Sequence, residues 1–559
     1  MKKNYPYARA SLLIMLTLLL GANKTLAQVP TDSIVADFKD FVKALEEIHP
    51  DPYSGYGGKP NFRMAASDAR NALLKDKVTD VREFGYRINE FLAPLKDGHT
   101  VAMPDGHYVP GHFPIKYTAP ATLITCEAIN DGILVKALPD EYKDLIGSRL
   151  VSIEGMAVKD LASGMAKYFI SENEIGSMMN LANYAMQPKA LRKVIPDVSD
   201  DAITYQLKTP KGKKAEVKLP VVPFEQVQQW QAAQAQKPSV FPAKEFSYNF
   251  MNQLVYGFLD DQNDIMYFHP KHILARDYLD YLREHNYNDD LNEWLQGIYG
   301  TVGMPVPPNQ DMAIAMIPSL SEEFENMLQQ MKQHGSKNLI IDMRNNGGGN
   351  TSICRPMVYM LYGDKYLERY HQMDQGIFVA SPRTISKTAL DEINATNEYK
   401  IEYGDYLDLS DFTYKETSIE DQRDMFINES MCSIKDKLRA LNGQPVYSPE
   451  HVYVVTNALT YSAAFHFSYY LWRMGATVVG VTSSQAPNTF MGGQRYITLP
   501  RTGLVGEIDQ GIQICFPDDD PRAKEFFPDL MPSYEDYKRY NFDDNAPVLY
   551  LLDIIKKKK

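Results

Sequence analysis

The chain has 559 residues, 44% hydrophobic and 23% charged, the balance of a globular protein too long for one domain. Its net charge is -13, and setting aside Lys2, Lys3, Arg9 and Lys24 of an N-terminal leader gives -13 - 4 = -17, which argues against nucleic acid or an anionic membrane as partner. Four cysteines without a CxxC pair are too few for a disulfide scaffold and leave any pairing open; eleven histidines without HExxH spacing support neither a metal site nor a cofactor.

In chain order, residues 1–27 read as a secretory signal peptide. Lys2, Lys3 and Arg9 precede the apolar run SLLIMLTLLLGA, and a small-residue site follows at Thr25-Leu26-Ala27. The run falls short of the roughly 20 residues that a membrane span needs, so export to the periplasm or the extracellular space is expected, with no stable membrane insertion after cleavage. Residues 28–108 read as an N-terminal helical domain, since SIVADFKDFVKALEEIH and VREFGYRINEFLAPL repeat apolar positions at three and four. From 109 to 222 short β-rich runs such as TLITCEA, GILVKAL and RLVSIEG alternate with Gly, Pro and Asn-Asp. Residues 223–244, rich in Gln and Ala, read as a linker, and 245–548 as the largest domain, carrying a polar, aromatic insertion at about 271–309. The last residues, 549–559, read as a solvated basic tail.

Within the largest domain, EFSYNFMNQLVYGFLDDQNDIMYFHP predicts a hairpin turning at Gln262-Asn263-Asp264. SLSEEFENMLQQMKQH predicts a helix capped by Ser319 or Ser321, leading into the strand NLIIDM and a second helix, SICRPMVYMLYG. HVYVVTN, SAAFHFSYYLWRMG and ATVVGVTS repeat the rhythm, so parallel β/α packing is expected. Two strand ends carry chemistry. Gly347, Gly348 and Gly349 follow the first strand and precede a helix, where exposed backbone N–H groups can hold developing negative charge; the stretch lacks the Lys-Ser/Thr pair of a phosphate-binding loop. Ser462 follows the second strand and precedes Ala463 at a helix start, a setting for an exposed nucleophile or for an ordinary N-cap.

Together, NLIIDMRNNGGGN and, about a hundred residues later, VYVVTNALTYSAAF with GATVVGVT resemble the C-terminal processing, or tail-specific, serine peptidases of family S41. The resemblance implies an α/β multidomain chain: an N-terminal helical part, a PDZ-like β-rich module with LIGSRLVSIEGMAVKDL at its I-x-G turn, and a ClpP/crotonase-like β/α catalytic domain. It implies Ser462 as nucleophile and the amides of Ala463 and of Gly347 or Gly348 as the oxyanion hole, with a peptide or protein as substrate. The sequence departs from the Ser-Lys branch, because VVGVTSSQAPNTFMGG holds no lysine. It is more similar to the tricorn-like branch, which places a histidine after the N-terminal helices. His99 in Asp97-Gly98-His99-Thr100 matches that place, with His107, His112 and His466 as rivals. That branch also carries an acid about sixty residues after the serine, which falls here on Asp520 or Glu525, ahead of Pro528-Asp529. The alternative function is an inactive S41-fold protein that binds peptides or hydrophobic ligands. The missing lysine and Phe465 after Ser-Ala-Ala favour it, and the aromatic insertion could line its pocket.

Overall fold

The computed structural model describes residues 28–103, 119–234, 247–249, 254–301, 303–370, 375–382, 385–396, 399–408, 418–491 and 495–558. The signal-peptide reading, His107 and His112 lie outside them. Three helices, Thr31–Ile48, Lys59–Lys75 and Val81–Leu92, open the chain. Their apolar stripes bury Phe38, Phe41, Phe62, Phe84 and Leu92, each contributing about 1.5–3 kcal/mol of burial. This core is shared: Leu499, Leu504 and Ile508, from four hundred residues further on, belong to the same cluster. The short strand β1 (Val101–Met103) explains why, since it lies outside the helical pattern and pairs with the far end of the chain.

The β-rich module follows as β2 (Ala121–Thr122), β3 (Thr125–Ile129), β4 (Gly132–Ala137), β5 (Arg149–Ile153), β6 (Met156–Ala157), β7 (Ala202–Lys208) and β8 (Lys214–Val222), in the order β2-β8-β7-β5-β4-β3 with β6 on β5. Helices Val158–Met165 and Glu174–Tyr184 pack on it. The segment read as a linker is helical over Phe224–Gln234; Gln and Ala are good helix formers, and Val227 is buried.

The large domain is built on a six-stranded sheet. β9 (Ser247–Asn249), β10 (Leu254–Phe258) and β11 (Ile265–Pro270) are antiparallel, and the β10–β11 turn places Asn263 at φ 53°, a left-handed position that Asn tolerates. β12 (Asn338–Asp342) lies parallel to β11, and each residue of it is buried, because helices cover both sheet faces. Ser319 caps the preceding helix, Leu320–His334, by accepting from Glu322 N, and Gly335 at φ 65° ends it. The inserted residues form helices Arg276–Glu284, Asn288–Thr301 and Gln310–Ala315, which turn Leu279, Leu282, Leu291, Leu295 and Tyr299 inward onto one another. Their apolar side chains are used in this core, so the insertion gives the ligand-carrier alternative no support.

β13 (Gln375–Val379) and β14 (Tyr406–Asp408) belong to a smaller sheet, and β15 (His451–Thr456) and β16 (Thr477–Gly480) complete the large one in parallel. β17 (Thr489–Phe490) and β20 (Gly511–Ile514) join β13 and β14 in the smaller sheet, whereas β18 (Arg495–Thr498) and β19 (Val505–Ile508) close on β1. The expected basic tail is mostly a helix, Ala546–Lys558. Val548, Leu551, Leu552 and Ile555 recur at helical spacing and are buried beside Ile340, Tyr453 and Val479. Lys556 and Lys557, near its end, are exposed.

Candidate active site

At the C-terminal ends of β12 and β15 the two chemistry-bearing turns are tied side by side. Asn345 N donates to Asn457 Oδ1 at 3.0 Å, Asn457 Nδ2 donates to Asn345 Oδ1 at 2.8 Å, and Thr460 Oγ1 donates to Met343 O at 2.8 Å. Below them, Arg344 forks onto the fully buried carboxylate of Asp342. Burial would raise that carboxyl, yet the guanidinium and His269 outweigh it and bring it to about 2.

Ser462 immediately precedes helix Ala463–Arg473 with φ 54° and ψ -127°, a left-handed-side conformation costly for a side-chain-bearing residue. It occupies the N-cap position, yet among the described residues its hydroxyl makes no capping hydrogen bond, so capping does not account for the serine. Its backbone N–H is held by Gln485 Oε1. Gly348, at φ 107°, lies against this turn; a Cβ there would meet Ser462 Cβ at 2.6 Å and Ala463 N at 2.8 Å. Among the described residues, the Gly347 and Ala463 amides donate to no protein acceptor, whereas Gly348 N donates to Asn346 Oδ1 at 2.9 Å. Gly348 therefore serves the close approach, and Gly347 and Ala463 keep their donors available.

His99 reaches the same place from the other end of the chain. β1 pairs antiparallel with β19, Val101 opposite Glu507, and Asp509 N donates to Thr100 Oγ1 at 2.9 Å. His99 is 3% exposed, and its ring stacks on that of Tyr461, the residue before Ser462, with centroids 5.1 Å apart. Among the described residues neither ring nitrogen has a hydrogen-bond partner; Nδ1 lies 4.0 Å from Asp509 Oδ2. Burial lowers the imidazole to about 4, with Asp97 opposing the shift and His466 adding to it. Asp97 Oδ1 accepts from His99 N at 2.8 Å, and its Oδ2 pairs with His49 Nε2 at 3.2 Å. Because His49 Nδ1 accepts from Asp51 N at 3.1 Å, His49 Nε2 is the nitrogen that carries the proton donated to Asp97.

The other residues singled out from the sequence fall elsewhere. His466 is committed, its Nδ1 to Thr351 Oγ1 at 2.8 Å and its Nε2 to Gln513 Oε1. The carboxylates beside His99 are Asp97 and Asp509, not Asp520 or Glu525. Asp520 accepts from Arg522 N at 2.9 Å and pairs with the Arg522 guanidinium, which lowers it, while Glu525 lines a cleft wall. Spacing along the chain does not point to Asp509; its signal in the sequence is a pair of carboxylates, Glu507 and Asp509, two positions apart in an otherwise apolar β run. Gln485 stands at 485 - 462 = 23 positions after the serine, inside the stretch where the Ser-Lys branch keeps its base. One atom from each of Asp97, His99 and Asp509 lies within 4.8 Å of the others, a spacing suited to a cation, although Asp97 already holds His49 and the His99 amide.

Residues 311–503 match the family model of Peptidase family S41. The chain carries a peptidase family S41 domain. It is a serine-type peptidase, and the matched stretch contains the three glycines, Ser462 and Gln485. His99 and Asp509 lie beyond that stretch. Two solved structures share the fold over nearly the whole length. Mature CPAF complexed with lactacystin has a TM-score of 0.53 at 13% identity, covering 94% of this chain and 98% of that one. Mature CPAF has a TM-score of 0.52 at 13% identity, covering 91% and 95%. No curated protein matches the chain.

Proposed function

We propose that this S41 peptidase is an exported endopeptidase in which Ser462 is the nucleophile, His99 the general base and Asp509 the acid behind it. The observation that carries the reading is the unpartnered, buried imidazole of His99 stacked on Tyr461, one residue from Ser462. Export rests on the leader-like residues 1–27; among the described residues no helix is long and apolar enough to cross a membrane.

In this scheme Ser462 Oγ attacks the peptide carbonyl carbon while His99 takes the hydroxyl proton. His99 is neutral at pH 7 because burial lowers its pKa, so it needs no prior deprotonation. The resulting imidazolium draws on Asp509, and an approach of about 1 Å from the 4.0 Å contact would let Nδ1–H donate to that carboxylate. The oxyanion is received by Gly347 and Ala463 N–H, each such donor contributing about 3 kcal/mol. His99 then protonates the leaving amine, the C–N bond breaks, and an acyl-enzyme remains on Ser462. Water, deprotonated by His99, attacks that ester, releases the acid and restores the serine.

Covalent labelling by a fluorophosphonate tests the assignment. Ser462→Ala should abolish labelling and casein turnover, and His99→Ala should slow both by about 10³–10⁴-fold. Undiminished labelling of the Ser462→Ala protein would reject it.

A further inference from the structure

Glu172 carries no role in the scheme above, yet its carboxyl touches three of the segments on which that scheme depends. It sits in the β-rich module, between helices Val158–Met165 and Glu174–Tyr184. Oε1 accepts from Gly98 N at 3.2 Å, next to His99, and from the Tyr461 hydroxyl, next to Ser462. Oε2 accepts from Ala486 N at 2.8 Å, next to the Gln485 side chain that holds the Ser462 amide. The absence of a side chain at Gly98 leaves room for this meeting: a Cβ there would press on the Tyr461 hydroxyl and lie 2.9 Å from Glu172 Oε1, so a larger residue would push that pair aside.

The attachment extends along the module. Asn173 Nδ2 donates to Ser483 O at 2.9 Å, Asn130 Nδ2 donates to Gly480 O at 2.8 Å, and Asn130 Oδ1 accepts from Thr482 N at 3.1 Å. Beside these contacts a cleft of about 970 Å³ separates the module from residues 486–490 and 518–525, with Glu172 on its wall. A carboxyl that accepts three donors from three separate segments fixes their relative positions more tightly than any one packing contact does. The three segments are the histidine loop, the serine turn and the glutamine loop.

We propose that Glu172 is a positioning residue for peptide hydrolysis: contributed by the β-rich module, it holds Gly98 and Tyr461 on one carboxyl so that His99 and Ser462 stay in register. The proposal rests on the His99 and Ser462 assignment. It makes docking of the module a condition of catalysis, because withdrawing Glu172 releases the base and the nucleophile together. Misplacing such a pair by about 1 Å costs on the order of 100-fold in rate.

The test uses the full chain with fluorophosphonate labelling rate, casein turnover and thermal midpoint as readouts. Glu172→Ala should slow labelling by about 100-fold and lower kcat on casein while KM stays within about 2-fold, the signature of lost alignment. Glu172→Gln, which keeps one acceptor oxygen, should recover about 10-fold of that loss. Tyr461→Phe should slow labelling, and adding it to Glu172→Ala should slow it no further, since the link it breaks is among those that Glu172→Ala has already removed. Should Glu172→Ala fail to fold, the Gln and Phe variants carry the same comparison. Labelling of Glu172→Ala at the wild-type rate, or losses that add in the double variant, would overturn the proposal while leaving Ser462 and His99 in place. Labelling of Ser462→Ala at the wild-type rate would overturn both.

Discussion

The two sides of the proposed active site are made differently. The serine side, with Gly347, Gly348, Ser462 and Ala463, is two strand-turn-helix units on the parallel strands of one sheet, tied by Asn345 and Asn457 and lying inside the S41-matched residues. The histidine side is assembled from remote pieces: Asp97 to Thr100 after the N-terminal helices, Asp509 after β19, and Glu172 from the β-rich module. The serine side is held by its own sheet, whereas the histidine side depends on one three-residue strand pairing and on buried charges. Changes on the histidine side should therefore act on rate and pH dependence, leaving the sheet that carries Ser462 intact.

The largest effect that separates the two sides is expected at Asp509. Asp509→Asn should slow fluorophosphonate labelling by about 100-fold or more, since the amide cannot stabilise the imidazolium. A rate within 2-fold of wild type would remove Asp509 from the catalytic set.

A smaller effect concerns Glu507, buried on the same strand. Among the described residues its carboxyl oxygens have no hydrogen-bond partner, and burial, aided by the charge of Asp97, pushes it up to about 8. Its unfolded value is near 4.5, so the folded chain binds the extra proton between these limits. The stability it contributes is full below pH 4.5 and is lost as pH rises through 8. Glu507→Gln cannot ionise, so its stability should exceed that of wild type by a margin that grows from pH 5 to pH 9, reaching about 1–3 kcal/mol and read as a widening difference in thermal midpoint. The acid side should be unchanged: His99, lowered from 6.5 to about 4, makes stability fall as pH drops through that window in both proteins. Parallel midpoint curves would show that Glu507 does not titrate in the folded state. The smallest effect belongs to Asp520, whose replacement by Ala should leave labelling within about 2-fold, because it serves Arg522 and a surface turn.

The same contrast explains what could be read from the residues alone. The β/α rhythm, the hairpin at Asn263, the Ser319 cap and the glycine and serine turns are encoded by contiguous residues, and periodicity and turn chemistry expose them. Asp509, Gln485 and Glu172 are placed by strand pairing and by docking between segments, which leave no mark in local spacing. Asp520 was drawn in by its distance from Ser462, although Arg522, two residues on, supplied a local partner that argued for a structural role. The helical nature of 224–234 and 546–558 was hidden by composition: glutamines suggested a linker and four lysines a tail, while buried Val227, Leu551 and Ile555 decided otherwise.

The most direct test of the account is a crystal structure of the fluorophosphonate adduct. A phosphonyl group on Ser462 Oγ, with one oxygen within about 3 Å of the Gly347 and Ala463 amides and His99 Nε2 within about 3 Å of Ser462 Oγ, is the expected result. An adduct on another residue, or His99 more than about 8 Å from a phosphonylated Ser462, would contradict it.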